Sequence, residues 1–149
     1  MTFPSHILLG IIIGKLTGNM TLSVIISVSI DIDHLFSYFK HNILLKPKAF
    51  LTAALSRNDA YGDQRGYLHN IFIAGAICAL TFLISTPVGI TITLAYFGHL
   101  LLDSLDRSDY WPLYPSKKFD IKGFVDYYSV HELLFDVFLA AIIVTLFVV

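Results

Sequence analysis

The sequence predicts an all-α integral membrane bundle of about five helices, two helical hairpins followed by a C-terminal helix, built as a single domain over residues 1–149. Three observations carry this. The chain is 56% hydrophobic and 14% charged, against roughly 45–50% and about 25% in soluble domains, and its mean hydropathy is +0.71. Its apolar residues gather in four runs, 7–30, 71–86, 88–102 and 133–149, and about 20 helical residues cross a roughly 30 Å hydrocarbon core. Basic residues avoid these runs: of ten Lys and Arg, only Lys15 lies in one, while Lys40, Lys46, Lys48, Arg57, Arg65, Arg107, Lys117, Lys118 and Lys122 fall in two polar connections, 35–66 and 105–129.

The first run is divided. Lys15 and the turn-forming pair Gly18-Asn19 lie near its middle, and a single span would hold that lysine at mid-depth for about 2.5–3.5 kcal/mol. Two short helices, 4–17 and 20–29, turning at Gly18-Asn19 avoid this; at 1.5 Å per residue each is roughly 15–21 Å long. A single span would instead send His6 to the opposite face. Pro87 breaks the next run, giving a second hairpin from 67–85 and 88–104, and a last helix runs from about 130 to the C-terminus. Met1-Thr2-Phe3-Pro4-Ser5-His6 has no basic leader and no small-residue cleavage site follows it, so the first run reads as part of the mature chain. Each hairpin leaves and returns, which puts both basic connections on one side. By the positive-inside tendency that side is the cytoplasm, and the expected location is a cell (inner) membrane crossed several times.

A net charge of −1 and a pI near 6.6 provide no basic field for nucleic acid, which is excluded as a partner. The single cysteine, Cys78, excludes an intrachain disulfide and a cysteine metal cluster and reads as inert packing. Any metal must therefore be held by His and carboxylate.

Histidines and acids are not scattered. His6 opens the first helix; Asp31, Asp33 and His34 close the second; His69 opens the third; His99 and Asp103 sit in the last turns of the fourth; His131 and Glu132 open the fifth. Under the hairpin reading all of them meet at one mouth of the bundle, and of six histidines only His41 lies apart. His99 and Asp103 share a helix face, with Cβ atoms about 5–6 Å apart. Asp31, Asp33 and Asp103, read as helix C-terminal, face about half a negative charge from the helix dipole. A divalent cation offsets both, since imidazole and carboxylate suit Zn²⁺ or Mn²⁺, and clusters of two or three such ions activate water and clamp phosphoryl oxygens. Plainer readings stand beside these. His131 serves as a boundary residue, Asp31 and Asp33 pair with Arg65 and Lys40, and Arg65 is either a bidentate oxyanion clamp or a positive-inside anchor. Tyr110, Trp111 and Tyr114 read as interfacial aromatics, and Lys15 snorkels to the far interface or faces the bundle.

In order, His6 with Gly10 and Gly14, Asp31-Ile32-Asp33-His34, Arg65-Gly66-Tyr67-Leu68-His69, Gly98-His99-Leu100-Leu101-Leu102-Asp103 and Trp111-Pro112-Leu113-Tyr114-Pro115 resemble the predicted membrane-bound metal-dependent hydrolase family, which includes LexA-regulated bacterial inner-membrane members. The match runs from His6 to about Pro115. The resemblance implies a helical membrane protein with metal ligands at His6, Asp31, Asp33, His34, His69, His99 and Asp103. More distantly, the chain is similar to the zinc-dependent phospholipase C and P1-type nuclease group, which holds a zinc cluster and has a His-x-x-x-Asp pair like His99/Asp103. It departs from the hydrolase family at Ile30, where members commonly have proline, and at Asn70, where they have serine. The first puts the end of the second helix in question; the second keeps a hydrogen-bonding side chain beside His69. A third departure is from the phospholipase group: no His-x-x-x-Glu pair of its type follows Pro115, and Glu132 is the residue that could replace its glutamate.

The expected function is a cytoplasm-facing, membrane-bound hydrolase that uses one to three divalent ions, zinc first and manganese second, on a phosphoester or lipid-like substrate. Asp33, His69, His99 and Asp103 form the expected ligand core, with His6, His34 and Glu132 as further ligands and Asp31 and Arg65 in catalytic roles. The competing expectation is a metal or proton transporter, or an accessory membrane protein with a structural metal. Transport calls for ionisable groups through the midplane, where this sequence has almost none.

Overall fold

The computed structural model describes residues 1–56 and 61–148; Arg57, counted above among the loop cations, and Val149 lie outside them. Among the described residues the chain is all-helical: α1 (Phe3–Thr17), α2 (Met20–Ser29), α3 (Ile32–Lys40), α4 (Pro47–Ala54), a 3-10 turn (Tyr67–His69), α5 (Ile71–Thr81), α6 (Thr86–Leu105) and α7 (Val130–Val148). Three stretches are long and apolar enough to span a membrane, Met20–Lys40, Thr86–Leu105 and Val130–Val148, while α1 and α5 are shorter apolar helices.

The count of about five helices needs correction, and so does the end of the second. The connection 35–66 carries the rest of α3 and all of α4. Ile30 keeps helical angles (φ −63°, ψ −32°) and Asp31 departs only slightly (φ −65°, ψ −2°), so the chain re-enters a helix at Ile32. Proline at position 30 would have forced a break; isoleucine does not. Asp33 therefore sits in the first turn of α3, where the dipole favours a carboxylate, the reverse of the C-terminal placement expected from sequence.

α1 and α2 form the expected hairpin about Gly18, whose φ of 75° is left-handed and suits glycine. The two helices cross closely. A Cβ on Gly14 would lie 2.6 Å from the Met20 Cα, and one on Gly10 would lie 2.9 Å from the Val24 Cα. α5 is N-capped by Asn70, whose Oδ1 accepts from Phe72 N and Ile73 N, and it ends at Thr81, four residues before the expected boundary. Ser85 then caps α6, with Pro87 inside the first turn. The main core joins Ile30, Ala74, Cys78, Ile92, Tyr96, Leu100 and Tyr110. Tyr110, read from sequence as an interfacial aromatic, is thus a core residue. It reaches that position because residues 105–129 fold back over the end of α6 through bridges pairing Asp106 with Val125 and Tyr110 with Ile121.

Contacts at the two ends fix the topology. Thr2 meets Glu132 and Ser5 meets Asp136 at one end, and Lys15 lies over the Phe147 ring at the other. α1 and α7 therefore run in the same direction. His6 stacks on His99, so α6 ends where α1 begins. Both long connections consequently leave from the same end, and that end carries the polar cluster.

Candidate metal centre

Six side chains from four parts of the fold converge there. His6 comes from the first turns of α1, Asp31 and His34 from the α2–α3 junction, His69 from the 3-10 turn, and His99 and Asp103 from α6. They form two groups, His6, Asp31, His99 and Asp103, and Asp31, His34 and His69, with one potential ligand atom per residue and all such atoms in a group within 4.8 Å of one another. Asp31 belongs to both. His6, His69 and His99 are fully buried.

The partners of each ring decide which nitrogen faces the cluster. His99 Nδ1 lies 2.6 Å from the Ser27 carbonyl oxygen; a carbonyl only accepts, so Nδ1 carries the proton and Nε2 presents a lone pair. His69 Nδ1 lies 3.1 Å from Asp33 Oδ2, which also accepts from Gly66 N (3.1 Å) and Leu68 N (2.7 Å). Asp33 thus orients His69 and pins its turn from behind. The turn is held from two further sides by Tyr96 Oη donating to Leu68 O and Tyr110 Oη donating to His69 O.

The consequence is a triangle of acceptors. His69 Nε2 and His99 Nε2 are 3.3 Å apart, and Asp103 Oδ2 is 3.0 Å from the first and 3.4 Å from the second. His99 Nε2 is also 3.6 Å from Asp31 Oδ1, and His6 Nε2 is 3.4 Å from Asp103 Oδ1. Lone pairs and carboxylate oxygens at these distances repel unless something positive lies among them. A proton on His69 would serve one edge of the triangle, and that ring's pKa is indeed raised: burial opposes its charge, but hydrogen bonds to Asp103 and Asp33 outweigh burial. One proton still leaves the buried His6 Nδ1 and Nε2 and His34 Nε2 without hydrogen bonds. The edges of 3.3 Å between His69 and His99 and of 3.4 Å from Asp103 to His99 and to His6 match a divalent ion, since two ligands bound tetrahedrally at about 2.0–2.1 Å sit roughly 3.3–3.4 Å apart; the 3.0 Å edge between His69 and Asp103 has hydrogen-bond length. The donor set fits a metal by chemistry, burial and spacing.

No protein-family model, curated protein or solved structure matches this chain. The case for the site therefore rests on its own geometry.

The remaining expected residues fall elsewhere. Asp33 and Glu132 are outside both groups. Glu132 is buried and accepts from Thr2 N through Oε1 and Tyr128 N through Oε2, tying α7 to the start of α1. Arg65 is also buried, with four hydrogen bonds inside the chain: Nη1 donates to Ser108 O and Asp109 O, and Nη2 to Asp103 Oδ1 and Asp106 Oδ2. Its Nε is 3.2 Å from Asp103 Oδ2. This fork braces Asp103, which differs from the clamp on a bound oxyanion anticipated for it. Burial disfavours the guanidinium charge, and the Asp103 and Asp106 carboxylates more than restore it, raising its pKa. His131 is exposed.

Three contributors escaped the sequence reading: the Ser27 carbonyl, Asp106 and the Asp63 clamp. Asp63 accepts from Ser37 Oγ and, at 2.6 Å, from Lys40 Nζ. His41 Nε2 lies 3.2 Å away, and the His41 ring stacks on Tyr61. This fastens the chain just ahead of Arg65 to the last turn of α3. Burial raises the Asp63 pKa, but the hydrogen bonds from Lys40, Ser37 and His41 lower it further than burial lifts it. A depressed carboxylate contributes stability above its unfolded pKa of roughly 3.9, and that contribution is lost as pH falls through the folded value. Protection factors over 61–66, referred to the intrinsic exchange rate at each pH, are accordingly expected to fall in acid and in Asp63→Asn at neutral pH, with metal content unchanged; equal protection in the variant would show that the clamp does not order this segment.

Asp33→Asn tests the orientation of His69 directly. Asparagine can donate through its amide where the carboxylate only accepts, and it weakens the lock on Nδ1. Metal affinity is expected to fall about 10–100-fold, read by competition with a chromogenic chelator, with helicity retained. Undiminished affinity would remove Asp33 from the account.

Proposed function

We propose that this chain is a membrane-bound, metal-dependent hydrolase of phosphoesters, with divalent ions held by His6, Asp31, His99 and Asp103 and by Asp31, His34 and His69. The observation that carries the reading is that the two donor groups, His6, Asp31, His99 and Asp103 and Asp31, His34 and His69, share Asp31 and reach through Asp31 and His34 the wall of a cavity of about 360 Å³. A purely structural metal has no need of such access. When bound, divalent ions supply Lewis acidity that polarises a phosphoryl oxygen and makes water acidic near neutral pH.

The protein's own groups divide the remaining work. Ser27 O and Asp33 hold two imidazoles in one tautomer, and Arg65 holds Asp103 in place, so little reorganisation is left for the reaction itself. Asp31 and His34 are the members of the cluster that line the cavity, their side chains 20% and 28% exposed, so ions they hold would face it. In the hydrolysis, the water oxygen bonds to phosphorus and the bond from phosphorus to the leaving oxygen breaks. One water proton ends on that oxygen as the alcohol. The basic connections point to a site facing the cytoplasm from the inner membrane.

Metal analysis of the protein purified in detergent, followed by hydrolysis of a generic phosphodiester and a phosphomonoester with and without chelator, tests this. Bound zinc or manganese at a stoichiometric level and chelator-sensitive hydrolysis restored by added metal are expected. Absence of metal overturns the reading, and metal without hydrolysis assigns the site to structure or, if ion flux into liposomes accompanies it, to transport.

A further inference from the structure

The cavity beside the cluster has two unlike walls. Asp31, His34 and Arg65 form its polar side, while Phe50, Ala53 and Ala54, from the inner face of α4, form an apolar one. α4 is tied to α3 by a small core of Tyr38, Ile43 and Ala53, so α3, the turn after it and α4 form one elbow over the mouth of the bundle. The outer face of that elbow is uncovered. Ile32, Leu35, Phe36 and Phe39 line one shallow groove and Phe39, Leu44 and Leu45 line another; Phe39 is 72% and Leu45 92% exposed. Leu51 on α4 and Leu55 just after it are also exposed.

Two facts identify what covers it. The face is continuous with a candidate membrane span, since the apolar stretch Met20–Lys40 includes α3 and Ile25 within it is also exposed. Exposed lysines, Lys46 and Lys48, border it, the pattern of an amphipathic segment lying at a bilayer surface with basic groups at headgroup level. We propose that the α3–α4 elbow is seated in the interfacial layer of the bilayer and that its apolar inner wall is a lateral entrance through which a membrane amphiphile brings a phosphate to Asp31 and His34. The volume agrees with this, being at the small end of the roughly 300–1,000 Å³ range of ligand sites: a headgroup fits, and acyl chains remain outside along Phe39, Leu45 and Leu51. The proposal rests on the hydrolase reading for the fate of that phosphate, but not for the seating of the elbow.

The full chain in phospholipid nanodiscs tests it through binding and depth. In a Cys78→Ala background, bimane is attached at Phe39→Cys and Leu45→Cys and challenged with iodide in water and with a doxyl group on the lipid. Quenching by the lipid-borne group, with most iodide quenching lost relative to the unfolded chain, is the expected result. A photoreactive benzoylphenylalanine in place of Phe50 should form adducts with an anionic glycerophospholipid, and excess free glycerol phosphate should reduce their yield less than twofold. Labels quenched from water alone overturn the proposal, as does the absence of a lipid adduct. If soluble phosphoesters are hydrolysed with no lipid adduct, the lateral entrance fails and the hydrolase reading stands. If the lipid adduct forms and no phosphoester is cleaved, the entrance stands and the hydrolase reading fails.

Discussion

Replacing His99 and Asp103 together with alanine is expected to abolish stoichiometric metal binding, lowering affinity on the order of 10³-fold or more, since even groups that only orient a ligand are worth about 10–100-fold. The double variant removes two corners of the acceptor triangle on a single helix face and leaves His69 Nε2 with neither of its neighbours at 3.0 and 3.3 Å. Metal per protein by mass spectrometry is the readout. Circular dichroism and gel filtration in the same detergent separate loss of metal from loss of fold, because His99 also donates to Ser27 O and stacks on His6 at 3.8 Å. His99→Gln/Asp103→Asn keeps the volume while removing imidazole and charge, so it should lose metal with less harm to packing. Metal retained at wild-type stoichiometry in both variants would mean that the cluster is held together by protons and ion pairs alone.

Arg65→Met is expected to be the most destabilising single change at the mouth, at about 3–5 kcal/mol, because removing one partner of a buried ion pair strands the other. Two buried carboxylates are stranded here, Asp103 and Asp106; the Met1 nitrogen, 3.0 and 2.9 Å from them, is their remaining cationic contact. Arg65→Lys should recover only part of the loss, since an ammonium cannot span Asp103, Asp106 and two carbonyl oxygens as the planar fork does. The pH dependence has a defined sign. Burial raises the Asp106 pKa, and the Met1 nitrogen and Arg65 pull it down by more. The stability Asp106 contributes is complete above roughly pH 3.9, its unfolded pKa, and is lost as pH falls through the depressed folded value. The gap between wild type and Arg65→Met is therefore widest at neutral pH and narrows in acid. Denaturant titration in mixed micelles at several pH values measures this; a gap below about 1 kcal/mol at neutral pH would place the pair among ordinary surface contacts.

What could be read from the sequence followed from parity and polarity. Lys15 and Gly18-Asn19 forbid a comfortable single span, so α1 turns back, and that one inference brings His6 to the same mouth as Asp31, His69, His99 and Asp103. The helix after Asp31 was harder to see. Asp31-Ile32-Asp33-His34 looks like a helix end because acids and histidine are poor helix interiors, yet the absence of proline at position 30 was the better signal. Partners that are backbone atoms leave little trace in a sequence: nothing in Ser27 announces that its carbonyl will orient His99. Glu132 and Arg65 stand out as polar residues near the mouth, but what they hold depends on how residues 105–129 fold back, and short irregular pairings such as Asp106 with Val125 have no periodicity to find. Asp63 and His41 form their clamp across a connection with no pattern linking them.

The cluster draws on α1, the α2–α3 junction, the 3-10 turn and α6, and α6 arrives last in the chain. The group of His6, Asp31, His99 and Asp103 lacks two of its four members until α6 docks and sets the His99 ring against that of His6. Completion of the cluster thus depends on contacts between residues as far apart in the chain as His6 and Asp103.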